Sequence, residues 1–162
     1  MKAYRVIFFL LSLIFSFKIY SQDKIIVGPE QQIQKIYTNG NKIAYECVKE
    51  RDTPLGIISE KFFVYNGIEN GPYDNITHVS WSEEKELITY LTSVDGQLFV
   101  NLEKERFGPY EEIRHFDWVP KSDKISFVYK EKGVEWVFNG NEVIGPYHYI
   151  IDLKWAPTGE IQ

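Results

Sequence analysis

Gly71-Pro72-Tyr73, Gly108-Pro109-Tyr110 and Gly145-Pro146-Tyr147 are one word written three times, at a spacing of 37 residues. Ten residues after each glycine stands a tryptophan: Trp81, Trp118 and Trp155. Two marks held in register over three copies define a structural repeat. The duplication reaches the whole unit. Ten of the 37 positions agree between 71–107 and 108–144, among them Ile76/Ile113, His78/His115, Ile88/Ile125 and Val100/Val137. A looser copy opens at Gly28-Pro29, with Tyr37 taking the tryptophan place one residue early. Its extra length falls in 49–56, which is charged and carries Pro54 and Gly56, so a longer loop is expected there.

Each copy divides into four short strands. In 108–144 they are Ile113 to Val119, Lys124 to Lys130, Val134 to Phe138 and Glu142 to Ile144. Asn139-Gly140 before the last strand is a dipeptide suited to a type I′ hairpin, and Asn66-Gly67 stands in the same hairpin of the first copy. Gly145-Pro146 should end the ladder, since proline has no N–H to donate. The chain is 16% aromatic, which suits half-buried pleated strands. Beyond the N-terminus no stretch sustains a 3.6-residue apolar period, so the expectation is all-β. Four antiparallel strands in about 37–45 residues is the pattern of a β-propeller blade.

The 162 residues are enough for one modest domain. Lys2 and Arg5 precede an apolar run, Val6 to Phe17, that Lys18 closes. A run of twelve matches a signal-peptide core and falls short of the roughly 20 residues of a spanning helix. Residues 1–21 are therefore expected to be a signal peptide. Removing them takes net charge from −5 to −8, because three basic residues and no acid are lost. No basic patch speaks for nucleic acid. The mature chain would be exported to periplasm, outer envelope or medium, with no remaining membrane span. Cys47 is the one cysteine, so no internal disulfide can form. Within Ile43 to Cys47 it reads as a small apolar strand residue rather than a reactive thiol.

Two segments carry a family resemblance. Trp118-Val119-Pro120-Lys121-Ser122-Asp123-Lys124-Ile125 and Asn39-Gly40-Asn41-Lys42-Ile43-Ala44-Tyr45 resemble the TolB-type WD-like propeller repeat, whose core runs roughly W-S-P-D-G-K-x-I-A-Y. The resemblance covers about 25–162 and implies a propeller; it implies no single activity. Glu83-Glu84 replaces Pro-Asp in the middle copy. On this reading residues 22–162 hold blades at about 33–70, 76–107 and 113–144. A lone first strand, Ile25-Ile26-Val27, precedes them, and a fourth blade opens near 150 with a lone strand, Ile150 to Trp155. That register predicts a piece of a longer, incomplete propeller. Its open edges could pair with a second copy.

Candidate chemistry is sparse. His78 and His115 hold equivalent places on different copies, and with His148 they form no metal-ligand spacing. No nucleophile elbow or Gly-rich phosphate loop occurs. Glu83, Glu84, Glu103, Glu105, Glu111 and Glu112 could supply a carboxylate pair, but surface glutamate is the default. Asn75-Ile76-Thr77 fits a glycosylation sequon inside the repeat, where chance explains it. The glycines, prolines, tyrosines and tryptophans of the repeat are expected to be packing elements between blades. No cofactor is implied. The sequence thus predicts an exported, non-enzymatic propeller that binds a protein or small ligand. The alternatives are the propeller portion of a larger prolyl-oligopeptidase-like enzyme or of an envelope-anchored protein.

Overall fold

The computed structural model describes residues 31–156 and 161. The expected signal peptide and the strand at Ile25-Ile26-Val27 lie outside them. The described residues contain twelve strands and no helix. β1 (Gln31–Asn39), β2 (Lys42–Thr53), β3 (Gly56–Tyr65) and β4 (Ile68–Tyr73) form the first sheet. β5 (Asn75–Trp81), β6 (Ile88–Val94), β7 (Gln97–Leu102) and β8 (Glu105–Tyr110) form the second. β9 (Glu112–Trp118), β10 (Ile125–Glu131), β11 (Val134–Phe138) and β12 (Val143–Tyr147) form the third. Each is an antiparallel meander of sequential neighbours, and the three do not close into a ring.

Local chemistry explains the hairpins. Asn66-Gly67, Asp95-Gly96 and Lys132-Gly133 each place two consecutive residues at positive φ, as a type I′ turn requires. Asn139-Gly140 departs from expectation. Only Gly140 of that pair has positive φ (87°), and four residues rather than two join β11 to β12. Asn139 instead caps the turn: its Oδ1 accepts from the N–H groups of Asn141 (3.0 Å) and Glu142 (2.9 Å).

Gly-Pro does not end the ladder. β4, β8 and β12 all run through it, and pairing resumes at the tyrosine: Lys61↔Tyr73, Leu98↔Tyr110, Glu135↔Tyr147. The previous pairs are Phe63↔Asn70, Val100↔Phe107 and Val137↔Ile144. Three steps on one strand therefore oppose two on the other, which is a bulge. A bulge leaves a residue without a ladder partner, so proline's missing N–H costs nothing there. The sheets accordingly span 31–73, 75–110 and 112–147, a few residues beyond the expected blade limits.

The expected loop at 49–56 is also a hairpin. Pairing continues through Glu50↔Ser59, Arg51↔Ile58 and Asp52↔Ile57 to Thr53↔Gly56, leaving Pro54-Leu55 as the tip. Arg51 and Glu60 pair across it at 3.0 Å. The Thr53 hydroxyl donates to the Gly56 carbonyl at 2.6 Å. The expected last strand, Ile150 to Trp155, is reduced to one bridge, Trp155↔Ile161. A strand needs a ladder, and the described residues offer this segment no longer one.

Two cores lie between sheets. Ala44, Phe63 and Tyr65 of the first face Ile76, Ile88 and Tyr90 of the second, with the Phe63 and Tyr90 rings 4.0 Å apart. Leu91 and Val100 of the second face Ile125, Phe127 and Tyr129 of the third. Phe127 is fully buried among the rings of Phe107, Tyr110, Phe116, Tyr129 and Phe138.

Candidate functional site

The repeat residues have distinct structural duties. Trp81 and Trp118 end β5 and β9 and pair across the hairpin with Ile88 and Ile125. Trp155 repeats the pattern with Ile161. Each later indole reaches back to the preceding sheet. Trp118 Nε1 donates to Ser80 Oγ on β5 at 3.0 Å, and Trp155 Nε1 to Ser126 Oγ on β10 at 2.9 Å. Trp81 packs edge-on to Tyr65 of the first sheet, centroids 5.7 Å apart. Its buried Nε1 has no partner among the described residues. The reason lies in register. Ser80 pairs with Thr89 and Asp117 with Ser126, whereas the corresponding pair on the first sheet is Tyr37↔Ala44. The Ala44 side chain carries no acceptor, and the Tyr37 hydroxyl is turned to Glu46.

The glycines hold close approaches. Gly71, Gly108 and Gly145 have φ of 138°, 121° and 141°. A Cβ on them would come within 2.9, 2.8 and 3.1 Å of a carbonyl oxygen, from Lys61, Leu98 and Glu135. The rings of Phe62, Phe99 and Trp136 cover them at 2.9–3.0 Å from that position. Pro72, Pro109 and Pro146 follow in the bulges as exposed residues. Tyr73 and Tyr110 pack against the two inter-sheet cores, while Tyr147 is exposed.

His78 and His115 recur for a backbone reason. They sit at φ of 51° and 49° where the β5–β6 and β9–β10 registers slip. Histidine is among the residues enriched in left-handed backbone. His78 and His148 are exposed, and His115 Nδ1 lies 3.8 Å from Asp152. No metal-binding group of His, Cys, Asp and Glu occurs among the described residues. Cys47 is fully buried, and burial pushes its thiol up. Nor are the sequence's candidate acids brought together as a catalytic pair. Glu83, Glu84 and Glu105 are exposed. Glu103 accepts from Tyr65 at 3.3 Å, Glu111 from the Lys132 N–H at 2.8 Å, and Glu112 pairs with Arg114 at 3.2 Å.

The acid that sequence reasoning missed is Glu135, 4% exposed. Arg114 donates to its Oε1, and the Ile150 N–H donates to Oε2 at 2.6 Å. Arg114 also donates to the Ile150 carbonyl at 3.4 Å and lies over the Tyr149 ring at 4.8 Å. This node fastens the segment after β12 to the third sheet. Its signal was an acid where the other copies carry Lys61 and Leu98 opposite the repeat tyrosine.

Beside Trp155 two turns of the third sheet, 119–124 and 139–141, border a cleft of about 450 Å³. Its lining is polar at Lys121, Ser122, Lys124, Asn139 and Asn141 and apolar at Val119, Pro120, Ile144, Trp155 and Ile161. The nearby carboxylate of Asp123 is turned to Lys85 of the second sheet, 2.5 Å away. That hydrogen bond holds Asp123 below the usual carboxylate range.

The tyrosines give the fold an alkaline limit. Burial pushes Tyr110 up to about 12, and it raises Tyr37, Tyr45, Tyr65, Tyr90 and Tyr129 as well. An unfolded tyrosine ionises near 10. The unfolded chain therefore loses these protons first, and stability is complete below about pH 10 and falls as pH climbs through about 12. Denaturation midpoints measured against pH should drop across that window, less steeply in Tyr110→Phe. A flat profile up to pH 12 would refute it.

Family models, curated proteins and solved structures yielded no match to this chain.

Proposed function

We propose that this is an exported repeat protein of β-propeller type, related to the TolB-type repeats, that works as a binding module. The observation carrying this reading is the repeated seating of each tryptophan on the preceding four-stranded sheet, through Trp118–Ser80 and Trp155–Ser126. Tandem four-stranded meanders stacked face to face are how propeller blades are built. The N-terminal apolar run with Lys2 and Arg5 supports export.

The surface that favours binding is the ribbon at the end of β2 and β3. Leu55 is 100% exposed and Ile57 66%. Large apolar side chains at the end of a paired ribbon suit contact with another protein.

Fractionation of the source cells should find the full chain outside the cytoplasm. Immobilised protein should retain an envelope partner that the double variant Leu55→Ser, Ile57→Ser loses, with both proteins melting alike. Cytoplasmic retention would refute export. Equal capture by both proteins would remove the ribbon from the binding role.

A further inference from the structure

We propose that the cleft beside Trp155 binds a small organic anion, a carboxylate or phosphate group carried on a flat apolar body. Its volume, about 450 Å³, lies in the range of small-molecule sites. The chain carries net charge −5, yet two lysines and no acid line this cleft among the described residues. Asp123, the acid of the 119–124 turn, is engaged by Lys85 on the neighbouring sheet. The ammonium of Lys121 has no partner among the described residues. Lys124 donates to Asn141 Oδ1, which leaves the Asn141 Nδ2 hydrogens available to a ligand oxygen.

Both turns are fixed before any ligand arrives. The Val119 N–H donates to the Lys124 carbonyl at 2.8 Å, and the Ser122 N–H and hydroxyl both donate to the Val119 carbonyl, at 3.2 and 3.0 Å. The Lys124 N–H donates to Ser122 Oγ at 3.1 Å. In the 139–141 turn the Asn139 N–H donates to the Glu142 carbonyl at 3.1 Å. A backbone already held in place loses little freedom on binding. Trp155 is fixed through Ser126 and, with Pro120 and Ile144, supplies apolar lining. Ammonium groups and an indole in one lining suit an anionic head on a planar body.

The cleft lies on the third sheet and the ribbon on the first, so either reading can fail without the other. The experiment is an NMR titration of the full chain with benzoate, phenyl phosphate and, as the neutral probe, benzyl alcohol. Saturable shifts are expected at residues 119–124 and 139–141 with both anions, at millimolar affinity. The tighter of the two identifies the head group as carboxylate or phosphate. Lys121→Ala should bind both about tenfold more weakly, the loss of one charge-assisted hydrogen bond. Its spectrum should otherwise overlay that of the parent, because Lys121 is exposed and unpaired among the described residues. Equal binding of benzyl alcohol, unchanged affinity in Lys121→Ala, or shifts that never saturate would each overturn the proposal.

Discussion

Replacing Phe127 by alanine is expected to cost about 3–5 kcal/mol of stability. Phe127 is 0% exposed, and five aromatic rings lie within 6.4 Å of its own. Those rings come from β8, β9, β10 and β11, so no single strand can move in to refill the space. The residual cavity adds to the lost transfer free energy. In a chain of this size each kcal/mol lowers the melting temperature by roughly 2–4 °C. A drop of roughly 6–20 °C should therefore appear in thermal melts. A loss below about 1 kcal/mol would mean that the second and third sheets do not meet over this side chain.

The second large effect is expected from Gly108→Ala. At φ of 121° an L-residue is strained, at about 1–3 kcal/mol. The new methyl would also stand 2.8 Å from the Leu98 carbonyl oxygen and 3.0 Å from the Phe99 ring. That oxygen belongs to the β7 backbone and cannot retreat without disturbing the β7–β8 ladder. Overpacking adds about 1–3 kcal/mol, so the total is about 2–6 kcal/mol. Gly96→Ala is the control. Gly96 also has positive φ (74°), but a Cβ there meets nothing within 4 Å. Urea unfolding of the two variants separates strain from contact. If they lose the same stability, the close approach at Gly108 carries no weight.

That glycine shows how far the sequence could be read. The recurrence of Gly-Pro-Tyr and tryptophan gave the strand order and the three-sheet division, because sheet repeats need the same turn chemistry at the same offset. Proline's missing N–H suggested a stop, whereas a bulge absorbs it and the ladder resumes at Tyr73, Tyr110 and Tyr147. Charged residues around Pro54 and Gly56 suggested a loop, yet cross-strand pairing carries β2 and β3 out to the tip. Asn139-Gly140 looked like Asn66-Gly67, but two further loop residues changed the turn. The recurrence of His78 and His115 was visible; its cause, a left-handed bulge position, was not.

The candidate site was less legible still. The 119–124 turn belongs to one hairpin and the 139–141 turn to another. Nothing in either announces that they border one cleft with Trp155. Glu135 could be noticed as an acid between Val134 and Trp136, but its partners Arg114 and Ile150 lie 21 and 15 residues away. Contacts of that kind are set by how strands stack, which residue type and spacing do not encode locally.

The indole contacts all point one way along the chain: Trp81 onto the sheet before it, Trp118 onto β5, Trp155 onto β10. A chain made, or threaded through a membrane, from its N-terminus meets these contacts in a favourable order. Every tryptophan emerges after the surface that will receive it is already available. Assembly can then proceed as ordered growth, each finished unit serving as template for the next. The first joint alone lacks the indole hydrogen bond among the described residues, and the Tyr65 hydroxyl bridges it instead, donating to the Glu86 carbonyl and to Glu103.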